Sequence, residues 1–257
     1  MFSPRSRAIA GAGARLLLSD PAPLLVTIVM PLLLIAFLRP AARAQLRAEG
    51  YLHATGGEQL VPGLAVMFLF LGAGLVGTLF FREHAWGTWD RLRASPASTL
   101  DIVLGKTFPL YVGQLAQLAI LFLAGRLLFG YRPTGSPLAL VVVLALFDAM
   151  VVAFAVMLVA VFSTMDQALV IGNLGGMVMA GLGGALAPAS SLPGWAQAIA
   201  HVTPAYWTLG ALRDITLDGA GLARVAPALL VTAAFAAGFA LVAGLRFRPS
   251  DTKVGTT

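Results

Sequence analysis

The sequence predicts an all-helical integral membrane protein with six transmembrane helices. Three observations carry this expectation. Of the 257 residues, 59% are hydrophobic and only 11% charged, whereas soluble domains hold about 45–50% apolar and about 25% charged residues. Six segments approach the about 20 mainly apolar residues that a bilayer crossing needs. Between them, no polar stretch is long enough to fold as a soluble domain, so residues 1–257 read as a single membrane domain.

The first segment, Ala22 to Leu38, is short and contains Pro31. The second, Leu60 to Phe81, carries no charge. The third, Thr107 to Phe129, includes Arg126 close enough to its end to snorkel. Asp148 lies near the middle of the fourth, Pro137 to Phe162. The fifth, Ala168 to Ala187, is rich in glycine at small-xxx-small spacing, and the sixth runs from Val225 to Leu245.

An even number of crossings puts both termini on one side. With the termini inside, ten Lys and Arg face the cytoplasm and seven face out, counting Lys106 in the second loop and Arg39, Arg43 and Arg47 in the first. The positive-inside bias therefore favours cytoplasmic termini in the cell membrane. The formal charge of +6 is distributed in this loop pattern and argues against a nucleic-acid partner. The N-terminal stretch with Arg5, Arg7 and Arg15 does not read as a cleavable signal. The absence of cysteine excludes disulfides, thiol catalysis and Cys-based metal sites.

The segment from Pro188 to Ala223 is long, only half polar and broken by prolines and glycines. It is expected to form short re-entrant or interfacial helices on the outer face, since irregular backbone at membrane depth needs a protein or aqueous cover. Trp195, Tyr206 and Trp207 are its expected headgroup-level anchors.

Several motifs resemble chemistry without meeting its requirements. Gly72-Ala73-Gly74-Leu75-Val76-Gly77 matches G-x-G-x-x-G but lies inside an uncharged span, where small residues serve close helix packing. Gly105-Lys106-Thr107 lacks the first glycine of a phosphate-binding loop, because position 100 is Leu100. Asp218 to Arg224 resembles the start of the membrane phosphotransferase metal motif but has one residue too many. Asp148 admits a proton-coupled secondary transporter as an alternative, because intramembrane carboxylates serve function by default. As an anion it would cost about 2.5–3.5 kcal/mol at mid-membrane, so it is expected to be neutral or hydrogen-bonded.

Three stretches, taken together, resemble the ABC-2 type permeases, the membrane subunits of a class of ABC exporters. The first is Arg15 to Pro21 with its Asp20-Pro21 exit, followed by Pro31. The second is Arg82-Glu83-His84-Ala85-Trp86-Gly87-Thr88-Trp89-Asp90-Arg91-Leu92-Arg93-Ala94-Ser95-Pro96. Here Arg82, Glu83, Gly87, Thr88, Asp90, Leu92 and Pro96 match the family pattern. The third joins Leu192, Pro193 and Trp195 through Pro204 and Tyr206 to Leu212 and Arg213. Within the family the sequence is most similar to daunorubicin-resistance permeases.

The resemblance implies an N-terminal interfacial helix and a cytoplasmic coupling helix docked on an ABC ATPase subunit. Arg82, Glu83, Trp86, Gly87, Thr88, Trp89, Asp90 and Leu92 would form the coupling element. Thr88 suits a helix cap, Asp90 its positive N-terminus and Pro96 its end. It also implies a second permease copy, and ATP and Mg held on the partner subunit with no cofactor on this chain, which would not be an enzyme by itself. Asp148 remains the intramembrane polar candidate, and Trp195, Pro204, Tyr206 and Arg213 the outer-helix anchors.

Overall fold

A computed structural model describes residues 3–19, 22–85, 87, 89 and 94–247, without the side chains of residues 5, 16–18, 23–24, 75–76 and 82–85. Among these residues the regular structure is helical. The helices are α1 (Pro4–Ser19), α2 (Ala22–Ala48), α3 (Gly57–Ala85), α4 (Thr99–Phe129), α5 (Pro137–Val161), α6 (Met165–Gly183), α7 (Gly194–Ala200), α8 (Pro204–Leu217) and α9 (Leu222–Arg246). A 3-10 turn, Ala189–Ser191, precedes α7.

Local chemistry sets most boundaries. Ser98 caps α4 in a capping box: its hydroxyl accepts from the Asp101 amide at 3.1 Å while Asp101 accepts from the Ser98 amide at 3.1 Å. Gly130, at φ +71°, closes the same helix in the left-handed region. Ser136 caps α5 with Pro137 in its first turn, Thr164 caps α6, and Thr203 caps α8 ahead of Pro204. Gly56 turns the chain back from α2 into α3 at φ +90°, and a Cβ there would lie 2.5 Å from the Arg39 carbonyl oxygen.

The bundle is organised around α3, which packs against α2, α4, α5, α6 and α8. Phe70 of α3 meets Phe147 and Phe154 of α5 edge-on, with centroids 5.4 and 6.1 Å apart. A second cluster joins α2 to the first half of α3 through Ile35, Leu60, Leu64 and Phe68. α9 lies chiefly along α5, with Phe239 5.2 Å from Phe154. α6 runs antiparallel to α3, placing Asn173 at Gly74, Gly176 at Phe70 and Ala185 at Gly63.

Among the described residues, five helices are long and apolar enough to cross a membrane: Leu25–Ala48, Gly57–Phe81, Thr99–Phe129, Pro137–Val161 and Leu222–Arg246. The expected fifth segment corresponds to α6, which falls outside this set. Its 19 residues include Asp166, Gln167, Asn173 and five glycines, which dilute its apolar character. Two loop assignments are also corrected. α2 continues unbroken past Leu38 to Ala48, through both Pro31 and Pro40, so Arg39, Arg43 and Arg47 are helical. Lys106 lies two turns inside α4 and is buried, because the Ser98 cap starts that helix eight residues before the expected Thr107.

Among the described glycines, Gly63 makes the tightest approach, since a Cβ there would stand 1.8 Å from the Ala185 carbonyl oxygen. Gly63→Ala is predicted to destabilise the folded protein by about 1–3 kcal/mol through backbone displacement. Gly113→Ala, at a helical site with no atom within 4 Å, is predicted to leave stability unchanged or raise it by up to about 1 kcal/mol through helix propensity. Thermal unfolding of the two variants in detergent checks this, and equal midpoints would contradict it.

Candidate functional site

The polar groups inside the bundle gather on the helices that flank α3. Gln114 of α4 donates from Nε2 to the Leu69 carbonyl at 3.4 Å, and Gln117 exchanges hydrogen bonds with Thr27 of α2 at 3.2 and 3.3 Å. α3 makes space for two amides by carrying glycine opposite each. A Cβ at Gly72 would lie 2.4 Å from Gln114 Nε2, and one at Gly74 would lie 2.9 Å from Asn173 Oδ1. The pair expected to serve apolar packing thus receives polar side chains from two directions. Among the described residues, Gln114 Oε1 and Asn173 Oδ1 are buried with no hydrogen-bond partner, so unmet acceptor capacity flanks α3 on both sides. Sequence reading missed both amides, although glutamine and asparagine inside apolar runs are the signal that marks them.

Asp148 is fully buried in α5, and neither carboxylate oxygen has a hydrogen-bond partner among the described residues. Tyr111 of the adjacent α4 donates to the Ala145 carbonyl, one turn away, at 3.3 Å. Lys106 donates from Nζ to the Leu79 carbonyl at 3.3 Å and stands 5.6 Å from the centroid of the Phe80 ring. Gly105, beside it, is where α1 docks: a Cβ there would meet Ile9 at 2.8 Å. This stretch is therefore a helix crossing, not a phosphate cradle.

At the end of α3 the expected coupling element comes only partly into view. Arg82 and Glu83 lie on the last turn of α3, and Gly87 is an exposed turn residue at φ +66°. Trp89 is buried, 6.5 Å from Phe80 and 6.3 Å from Phe247, which are themselves 6.0 Å apart. This aromatic triangle ties the segment to the end of α9, so the Trp89 ring faces into the bundle. The Arg82 and Glu83 side chains, and Trp86, Thr88, Asp90 and Leu92, lie outside the described residues, as do Asp20 and Pro21. Ser3 donates to Asp101 at 2.6 Å, placing the start of α1 at this same end.

At the opposite end, Arg213 of α8 is the hub. It pairs with Glu49, donates to Gln59 Oε1 at 3.2 Å and lies 5.5 Å from the Tyr51 ring centroid. Gln59 in turn donates to the Gly184 carbonyl at 2.8 Å, and Tyr51 donates to Asp218 at 2.9 Å. Arg224 completes the network at 3.7 Å from Asp214 and 3.5 Å from Asp218. Asp218 and Arg224, which resemble a metal-motif fragment in sequence, are thus ion-pair partners. Burial raises the Tyr51 hydroxyl above its ordinary range, reinforced by the bond to Asp218 and its charge. Burial also raises Asp214, opposed by Arg224. Tyr131, buried against Thr216 at 3.0 Å, is pushed up to about 12.

The other expected anchors fall beside this network. Pro204 is buried in the first turn of α8. Tyr206 stacks 4.3 Å from His201 and lines a small cavity of about 60 Å³ with Gln59, Gly184 and Arg213. Trp207 donates to the His201 carbonyl at 2.9 Å, and Trp195 stands 68% exposed.

The family model for ABC-2 type transporters matches residues 8–217. The chain is 30% identical over 195 residues to the linearmycin resistance permease protein LnrN of Bacillus subtilis (strain 168), covering 76% of this chain and 50% of that protein. It is 27% identical over 179 residues to the probable multidrug ABC transporter permease YbhR of Escherichia coli (strain K12), covering 68% and 49%. The chain therefore spans about half the length of the curated relatives it matches.

The fit of Gln114 over Gly72 generates a paired prediction. Gly72→Val is predicted to destabilise the bundle by about 1–3 kcal/mol, and adding Gln114→Ala should restore most of the loss. Thermal unfolding of both single variants and the double variant measures the coupling. Strict additivity would contradict the assigned contact.

Proposed function

The chain belongs to the ABC-2 type transporter family, and from that premise we propose that it is the membrane-spanning permease subunit of an ATP-driven exporter for a hydrophobic or amphipathic molecule. The resistance and multidrug names of its relatives support a drug or natural product as cargo, with lipids and glycolipids in the same chemical range. The observation that carries the reading is the continuity of α3. It occupies the centre of the bundle and leads directly into the Gly87 and Trp89 segment.

Two copies of the chain, each docked on an ATPase subunit, would form the working unit in the cell membrane, with both termini cytoplasmic. ATP and Mg would be held by the partner. ATP-driven closure of the ATPases would push on the coupling element formed by Arg82, Glu83, Trp86, Gly87, Thr88, Trp89, Asp90 and Leu92. The Trp89, Phe80 and Phe247 triangle then passes the displacement to α3 and α9 together, because aromatic rings in close contact move as a unit rather than deform. α2, α3 and α6 flank the proposed route, which makes α6 a sixth crossing despite its polar residues. Its Asn173, with Gln114 of α4, offers hydrogen-bond acceptors that a moving α3 or a passing substrate can engage. The outer cluster around Arg213 closes the far end.

The rival reading places proton coupling at Asp148, whose buried oxygens lack partners among the described residues. The two readings separate cleanly. With the partner ATPase present, replacing its phosphate-loop lysine should abolish export, and an uncoupler should leave wild-type export unchanged. Transport that survives the lysine change and stops with uncoupler would establish the rival.

Asp148→Asn should retain folding and most ATP-driven export, because it is isosteric and removes only the ionisable proton. Export assays in inverted vesicles check this. A well-folded Asn variant that still hydrolyses ATP without exporting would contradict it.

A further inference from the structure

We propose that Arg39, Arg43 and Arg47 form an exit ladder for the anionic head group of an amphipathic substrate, at the end of α2 remote from Trp89. The proposal rests on the exporter reading above and adds the charge of the cargo to it.

The 27 residues of α2 rise about 40 Å at about 1.5 Å per residue, whereas a hydrocarbon core is about 30 Å thick. The last about seven residues of α2, with Arg43 and Arg47, therefore project beyond the core, and Arg39 stands at its edge. The arginines recur every four residues, so they share one face, each about 6 Å beyond the last. Ala36, Pro40 and Ala44 flank them, each three residues before an arginine, and these short side chains leave a trough of about 530 Å³ bounded by the six residues. Arg39 donates from Nε to the Thr55 carbonyl at 3.0 Å, which fixes its stem and leaves its terminal nitrogens available. Arg43 and Arg47 are exposed, and among the described residues neither forms an ion pair.

The carboxylates that follow in sequence are committed elsewhere. Glu49 pairs with Arg213, and Glu58 accepts from the Thr55 hydroxyl and the amides of Thr55 and Gly56. Three like charges at successive i, i+4 positions repel one another. With cytoplasmic termini they also stand on the side that the positive-inside bias disfavours. An arginine row in which Arg43 and Arg47 form no ion pair among the described residues fits an external anion, and guanidinium groups bind phosphate and carboxylate in bidentate fashion.

Geometry selects the source of that anion. From Arg39 to Arg47 the row climbs about 12 Å, while the total thickness of about 40–45 Å leaves each headgroup layer only about 5–7 Å. A resident lipid phosphate would engage one rung and leave the others empty. A molecule leaving the bilayer lengthwise meets all three in turn. Below the ladder on the same face, Leu25 and Val29 are exposed and offer apolar surface to a trailing hydrocarbon tail.

The test uses the complete complex with its ATPase in nanodiscs of zwitterionic lipid, with dodecyl phosphate and dodecyltrimethylammonium as probes. ATP hydrolysis should be stimulated by dodecyl phosphate at lower concentration than by the cation. In the R43Q/R47Q variant the half-maximal dodecyl phosphate concentration should rise about tenfold or more, as expected for lost charge-assisted bonds, with the response to the cation unchanged. R43K/R47K should recover much of the preference. Equal responses to the two probes in the wild type, or no shift in the glutamine variant, would overturn the ladder. Loss of the wild-type preference on adding anionic lipid would assign the row to resident lipid, and loss of the second permease copy in native mass spectra would assign it to the dimer interface; either result overturns the proposal. ATP-driven export without head-group preference removes the ladder alone, whereas the absence of any ATP-driven export removes the exporter reading with it.

Discussion

The bundle depends on how closely its neighbours can approach α3. In lipid, apolar side chains gain little by leaving the solvent for one another, so helices associate through van der Waals contact and interhelical hydrogen bonds. Both need short side chains at the crossing points. Gly63 admits the Ala185 backbone, Gly125 of α4 admits Val61, and Gly176 of α6 receives the Phe70 ring. Gly72 and Gly74 use the same device for amides, and the resulting Gln114 bond to the Leu69 carbonyl ties α4 to α3 at mid-height. The remaining acceptor positions at Gln114 and Asn173 are unfilled. A helix held by small residues on several sides can shift against its neighbours without forcing bulky side chains past one another.

The two ends hold α3 by different chemistry. Near Trp89 the contact is aromatic and apolar, joining the segment after α3 to Phe80 and to Phe247 at the end of α9. At the far end Arg213 joins α8 to the α2 terminus through Glu49 and to the start of α3 through Gln59. Aromatic packing keeps its strength inside the membrane boundary, whereas partly exposed ion pairs are individually modest and yield readily. That asymmetry makes the Arg213 end the more easily separated of the two.

Most of the fold was legible because apolar runs and their prolines, glycines and caps follow local rules. Errors arose where charge was taken to mean loop. Arg39 stands on a helix that continues for nine more residues, and Lys106 is buried by a helix whose Ser98 to Asp101 capping box was present in the sequence. α6 shows the opposite difficulty: Asp166, Gln167 and Asn173 lower its apolar character, yet it runs along α3. The network around Arg213 was hardly legible at all. Glu49 and Arg213 are 164 residues apart, and only the fold brings Tyr51, Asp214, Asp218 and Arg224 to the same place.

The decisive measurement exploits the absence of native cysteine. A single cysteine introduced as His84→Cys, just beyond the last crossing turn of α3, should react with a membrane-impermeant maleimide only from the cytoplasmic face. With a short bifunctional reagent it should crosslink to the ATPase subunit, and the crosslink yield should change when ATP is bound. Labelling from outside, or no crosslink in a complex that still hydrolyses ATP, would contradict the assignment of this end of α3 as the point where the motor acts.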